Sequence, residues 1–139
     1  RSQWHKIMKK VMVFGTFDIL HPGHFNFFKQ AKQHGDYLIA VIARDKTVLG
    51  VKGKLPKHNE RSRLQAVKNS GAVDKIVLGR LGDKYGIIKQ YKPDVIALGY
   101  DQANFVDRLE NKIKNFKLKT KIIRLKPFKP EKYKSSKLK

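Results

Sequence analysis

Two histidines three residues apart, His21 and His24, stand in the stretch GTFDILHPGH at positions 15–24, directly after the apolar run VMVF. Side chains at i and i+3 of a helix project from one face, so both imidazoles can reach a single ligand if a helix begins here. Pro22 suits the first helical position, where its missing N–H would have had no partner. A helix start also offers unpaired amides and the positive end of its dipole to an anion. Gly15 lets the backbone approach a ligand with no side chain in the way. These residue types describe a turn that grips phosphate, with two imidazoles hydrogen-bonding one phosphoryl group. Helix capping and a structural metal pair are the other uses such histidines have. Asp18 reads as a residue that orients the turn or a histidine rather than as an acid or base.

Such a turn needs a strand to deliver it and a helix to receive it, and hydrophobic periodicity supplies both. KVMVFG is a short buried strand, and HPGHFNFFKQAKQHG reads as a helix stopped by Gly35. DYLIAVIARD is a second strand. HNERSRLQAVKNSG fits a helix capped by Asn59 and closed at Gly71, with Leu64 and Val67 on one face. DKIVLG is a strand, DKYGIIKQYKPD a short helix ended before Pro93, and DVIALG a strand. DQANFVDRLENKIKNF reads as a helix and KTKIIRL as the last strand. The alternation implies an α/β fold, a Rossmann-like three-layer sandwich with a five-stranded parallel sheet. In such sheets ligands bind beyond the carboxyl ends of the strands, where strand order reverses. The loops after strand one, strand two (ARDKTVLGVKGKLPKHNE) and strand four (GYDQANF) therefore matter most.

The 139 residues suit a single domain, 1–139, with a basic tail from about residue 126 to 139. With no cysteine, disulfides, thiolate catalysis and cysteine-bound zinc are excluded. No apolar stretch approaches the ~20 residues that span a bilayer, and the opening RSQWHKIMKK lacks the apolar core of a secretory signal. A soluble, cytoplasmic protein with no membrane partner is expected. The net charge of +21 points to polyanionic partners. From Lys112 to Lys139 there are twelve Lys or Arg against the single acid Glu131. That tail reads either as a nucleic-acid-binding segment or as a solvated surface with a few lysines aimed at a phosphorylated substrate. The strand-like KIIRL and the lack of aromatic repeats for base stacking favour the second.

GTFDILHPGHFNFF resembles the signature of the HxGH nucleotidyltransferases, which join the α-phosphate of a nucleotide to a phosphorylated acceptor and release pyrophosphate. NERSR resembles the basic helix start of that family, GAVDKIVLG its third strand, LGYDQ its acidic nucleotide-contacting loop, and SSKLK its late hydroxyl motif. Two branches compete. Glycerol-3-phosphate cytidylyltransferases usually carry a Trp after the aspartate of the fourth-strand loop and an Arg-x-x-Gly-Ile-Ser stretch; this chain has Gln102 and PEKYKSS. IARD, KGKLP, VDKIVLG and LGYDQ are more similar to the archaeal FAD synthases, which adenylylate FMN with ATP, although the cysteines that those proteins carry near the C-terminus are absent.

The resemblance implies direct in-line attack of the FMN phosphate on the α-phosphorus of ATP, accelerated by positioning and charge neutralisation. It implies that His21 and His24 stabilise the transferring phosphate, with Thr16, the amide of Phe17, Pro22 and Gly23 lining the turn. Lys52 and Arg63 would be cationic clamps, Asp101 a nucleotide contact, and Ser135 and Ser136 ligands of the β- and γ-phosphates. For each an ordinary use is also open: a loop lysine, a solvated helix arginine, a turn aspartate, a polar terminus. A divalent ion, most simply Mg²⁺, would be held largely by water and nucleotide, and a homodimer is implied. The alternatives are transfer from CTP to glycerol 3-phosphate or another phosphorylated acceptor, and a nucleic-acid-binding module that kept the fold without catalysis.

Overall fold

The computed structural model describes residues 8–102 and 108–127. Five strands lie parallel in the order β3-β2-β1-β4-β5: β1 (Lys10–Gly15), β2 (Tyr37–Ile42), β3 (Lys75–Leu78), β4 (Val95–Leu98) and β5 (Lys121–Arg124). Five helices are described: α1 (Pro22–Lys32), α2 (Asp45–Lys52), α3 (Glu60–Ser70), α4 (Gly86–Tyr91) and α5 (Leu109–Asn115). The strands β2 and β4 are near-continuous apolar runs because helices cover both faces of the sheet. Val11, Val13, Leu38 and Ala40 pack with Phe28 and Ala31 of α1 and Val67 of α3. On the opposite face Met12, Ile39 and Ile96 meet Ile87 and Ile88 of α4 and Leu109 and Ile113 of α5. This is the three-layer sandwich expected from the alternating pattern.

Register is pinned by aspartates placed just before the strands. The amides of Lys9 and Lys10 donate to the carboxylates of Asp36 (2.9 Å) and Asp94 (2.8 Å), and the amide of Leu38 donates to Asp74 (2.8 Å). Burial works against the Asp74 carboxylate, yet the Lys32 ammonium and the Leu38 amide together hold its pKa below the usual range.

The α3 boundaries follow the sequence reading: Asn59 Oδ1 accepts the Ser62 amide at 2.8 Å, and Gly71 closes the helix with a φ of 72°. Three elements differ. Helix α1 ends at Lys32, before Gly35, whose value is space: a Cβ there would sit 2.7 Å from the Lys9 carbonyl oxygen. Helix α2 occupies what reads as loop after β2, because its interior Gly50 and β-branched Thr47 and Val48 give it little propensity of its own. It is anchored by Asp45, described below. Asp101 and Gln102 lie in a turn, and the helix expected from residue 101 is described from Leu109.

Candidate active site

The turn after β1 is built around an aromatic ring. Phe17 has a φ of 51°, a conformation that costs a bulky residue of order 1–3 kcal/mol. Its ring folds back under β1, where a Cβ on Gly15 would stand 2.6 Å from Cζ. Gly15 is therefore required first by Phe17, and only then by any ligand. Buried against Phe28 (centroids 5.2 Å apart) and edge-on to His24 (5.5 Å), the ring sets the height at which α1 begins.

That helix start closes on itself. Pro22 is the first helical residue, His21 Nδ1 accepts the Gly23 amide at 3.1 Å, and His24 Nδ1 accepts the His21 amide at 3.3 Å. The two rings lie 4.0 Å apart. Because each Nδ1 acts as an acceptor, each neutral ring carries its proton on Nε2. Burial, and secondly the neighbouring His21, push the pKa of His24 down to about 4, so it is neutral at pH 7. Capping thus uses one edge of each ring and leaves two Nε2–H donors above a helix N-terminus.

Asp18 steadies the turn, as its sequence context suggests. Its carboxylate accepts the amides of Lys57 (2.7 Å) and His58 (2.9 Å) and lies 3.2 Å from His58 Nδ1. Although burial opposes it, these hydrogen bonds hold the Asp18 pKa below the usual carboxylate value.

Arg63 corrects the expectation of a phosphate clamp. The residue is wholly buried and does not line the cavity. Its guanidinium donates to the carbonyls of His58 (2.9 Å) and Thr16 (2.9 Å) and to Asp45 Oδ1 (2.7 Å). Thr16 and the turn after β1 are therefore held from behind by Arg63. The same cluster joins two helix starts: Glu60 accepts the Asp45 amide at 2.9 Å, and Asp45 accepts the Glu60 amide at 3.3 Å. Arg44 completes it, donating to Glu60 at 3.1 Å and to the Gly79 carbonyl at 2.7 Å.

A cavity of about 1060 Å³ opens over the carboxyl ends of the strands. Gly15, Thr16, Phe17, His21, Pro22, Gly23 and His24 form its middle. Lys52, the last residue of α2, reaches it from one side and Asp101 from the other. Ser135 and Ser136 lie outside the described residues. Sequence reasoning missed Arg80 and Lys84 after β3, Lys126 after β5, and Arg44, all of which line the cavity. The loop after β3 could have been found from the strand order, since β3 lies beside β2 on the same flank. Among the described lining are the cations Arg44, Lys52, Arg80, Lys84 and Lys126 but a single carboxylate, Asp101, a balance that suits a multiply charged phosphate ligand.

Gln102, which separates the two branches considered from sequence, ties the β4 turn to β1. Its Oε1 accepts the Gly99 amide at 3.1 Å and its Nε2 donates to the Phe14 carbonyl at 3.3 Å. Arg124 Nη1 donates to the carbonyls of Gly99 and Gln102, each at 2.8 Å. Among the described residues no three His, Asp or Glu side chains are grouped to cage a metal, and no helix is long and apolar enough to cross a membrane.

Known proteins share this arrangement. The chain is 42% identical over 118 residues to the FAD synthase of Thermoplasma volcanium, spanning 85% of this chain and 82% of that protein. It is 43% identical over 117 residues to the FAD synthase of Pyrococcus horikoshii, spanning 84% and 79%. The crystal structure of the lipopolysaccharide core biosynthesis protein from Thermoplasma volcanium superposes with a TM-score of 0.81 at 40% identity, covering 87% of this chain and 98% of that one. Pantoate-beta-alanine ligase from Francisella tularensis shares the fold, with a TM-score of 0.57 at 19% identity, over 89% of this chain and 64% of that one. Residues 12–139 match the cytidylyltransferase-like family, and the strand order, the His21–His24 turn and this match agree that the chain belongs to it.

Proposed function

We propose that this protein transfers the adenylyl group of ATP to the phosphate of FMN, giving FAD and pyrophosphate. The observation that carries the reading is the pair of Nε2–H donors at the start of α1, in a cavity roomy enough for two ligands. The FAD synthases at 40–43% identity name the reaction.

The FMN phosphate is its own nucleophile. With a second pKa near ~6, a phosphate monoester is largely dianionic at neutral pH and needs no general base. One of its oxygens forms a bond to the α-phosphorus of ATP while the bond from that phosphorus to the bridging oxygen breaks, and pyrophosphate leaves with the electron pair. His21 and His24 donate from Nε2 to the non-bridging α-phosphoryl oxygens, and the α1 amides add their dipole. Lys52 offsets charge on the phosphates. A neutral His24 suits this role, because it donates a hydrogen bond without surrendering its proton.

A Mg²⁺ ion carried on the triphosphate would supply further charge neutralisation. Such an ion would be held largely by water and the nucleotide's own phosphate oxygens, which leaves Asp101, the one carboxylate among the described lining, for the nucleotide. We further propose that the protein acts in the cytoplasm as a homodimer, which light scattering in solution tests.

The decisive assay follows pyrophosphate and FAD from ATP plus FMN with Mg²⁺, beside CTP plus glycerol 3-phosphate. FAD is expected, and His24→Ala should lower kcat by about a hundredfold or more, as loss of one transition-state donor does. CDP-glycerol in place of FAD would overturn the choice of substrates.

A further inference from the structure

The helices carry their cations in two different ways. Around α1, α2 and α3 carboxylates answer them: Lys32 meets Asp74, Arg44 meets Glu60 and Arg63 meets Asp45. On α4, on α5 and in the segment leading to β5, none of Lys89, Lys92, Lys112, Lys114, Lys117 and Lys119 is ion-paired with a described carboxylate. Residues 111–126, NKIKNFKLKTKIIRLK, hold seven Lys or Arg and no acid. The neighbouring acids are Asp83, which Arg80 pairs at 4.0 Å, Asp94, whose carboxylate accepts the Lys10 amide, and Glu110. Ile113 is buried while Lys114, Lys117 and Lys119 are exposed, so the apolar side chains go to the core and the ammonium groups to solvent. Aromatic rings then draw the lysines of the two helices together. Lys84 and Lys112 share the buried Tyr85 ring, at 5.5 and 5.8 Å from its centroid, and Lys89 of α4 stands 5.7 Å from the Phe116 ring that closes α5.

We infer that the α4–α5 face is a second binding surface, which takes the phosphate backbone of a nucleic-acid strand without regard to its sequence. A face kept in solution by charge works as well with both signs mixed, so a run of cations with no acid among them asks for an anion. Lysines meet phosphates as point charges and do not read base edges as a fork of Arg donors does, which gives affinity without sequence preference. The exposed Asn111 and Asn115 add amide donors for phosphate oxygens between those charges. An anionic bilayer fits this face less well. None of the large apolar side chains exposed among the described residues belongs to α4 or α5, so nothing there could enter the acyl boundary. The surface is also separate from the transfer site, because Lys89, Lys112 and Lys114 do not line the cavity. It stands whether or not the protein makes FAD.

Fluorescence anisotropy of a short labelled single-stranded RNA of mixed sequence tests this, with salt as the variable. The parent protein should bind it, and the affinity should fall about tenfold or more between about 50 and about 200 mM salt, as counterion release from a few neutralised phosphates requires. The triple variant Lys89→Gln, Lys112→Gln, Lys114→Gln should bind about tenfold more weakly at ~100 mM salt, with a salt slope shallower by about two. The control Lys29→Gln, Lys46→Gln, Lys68→Gln removes the same charge from exposed positions of α1, α2 and α3 and should stay within about threefold of the parent. A thermal melt checks that both variants fold, and a lysine-acetylation footprint of the parent protein needs neither. With RNA bound, Lys89, Lys112 and Lys114 should resist acetylation while Lys29, Lys46 and Lys68 react as in the free chain. Equal losses in the two variants, or equal acetylation of the two sets, would mean attraction by net charge alone and overturn the assignment to this face. No binding by the parent, or tighter binding of phosphatidylglycerol vesicles than of RNA at equal phosphate, overturns the nucleic-acid reading itself.

Discussion

The turns after β1 and β4 sit on neighbouring strands and line one cavity, yet they are held in different ways. The β1 turn is closed by its own residues, the reciprocal bonds of His21, Gly23 and His24, and then braced from behind by Arg63. The β4 turn has two local bonds, from the Gly99 amide to Gln102 Oε1 and from the Gln102 amide to the Gly99 carbonyl, each at 3.1 Å, and its remaining ties run to Phe14 and Arg124, which are 88 and 22 residues from Gln102. The contrast divides the labour. The turn proposed to present two protons to a phosphoryl group is tied mainly within its own segment, while the turn proposed to meet the nucleoside is tied also to β1 and β5.

Removing the brace tests that division most severely. Arg63→Met leaves the Asp45 carboxylate and the Thr16 and His58 carbonyls without their buried partner, and should cost about 3 kcal/mol or more of stability. Urea denaturation reads this as a fall in midpoint, and an unchanged midpoint would remove Arg63 from the account of the β1 turn. Next in size, Arg124→Met releases two carbonyls of an exposed turn and should cost about 1 kcal/mol. Its sharper mark should be kinetic: a severalfold higher KM for ATP with the KM for FMN unaltered. If both constants rose together, the two turns would not be separable.

The mildest test is acid. The folded pKa of His24, about 4, lies below its ordinary value of 6.5, so between these pH values the unfolded chain binds more protons than the folded one. Stability should therefore decline as pH falls from 6.5 towards 4, and melting temperatures of His24→Asn should decline less over that window. Titration of the His24 ring followed by NMR gives the midpoint directly; a value near 6.5 would contradict the burial that sets it.

What is legible in the sequence follows the same line between local and distant ties. The parallel sheet can be read because buried strands are short apolar runs, and α3 because Asn59 and Gly71 cap it with their own atoms. The HPGH turn can be read because its hydrogen bonds span only three residues. Arg63 cannot: a basic residue in NERSR looks the same whether it faces phosphate or a carbonyl 47 residues away. Helix α2 is hidden for a related reason, since its stabilising exchange between Asp45 and Glu60 joins segments 15 residues apart. Gly35 reads as a helix stop, whereas its reason lies in the Lys9 backbone across the sheet.

The central place of β1 bears on the order in which the protein is made. This strand leaves the ribosome before β2 and can pair with it soon afterwards, but its other edge must wait for Val95 and Ile96. Until β4 and then Arg124 emerge, the crevice has one wall, and the apolar edge of β1 stands open. A chain that has emerged only through about residue 80 would thus hold a braced histidine turn beside a crevice with one wall.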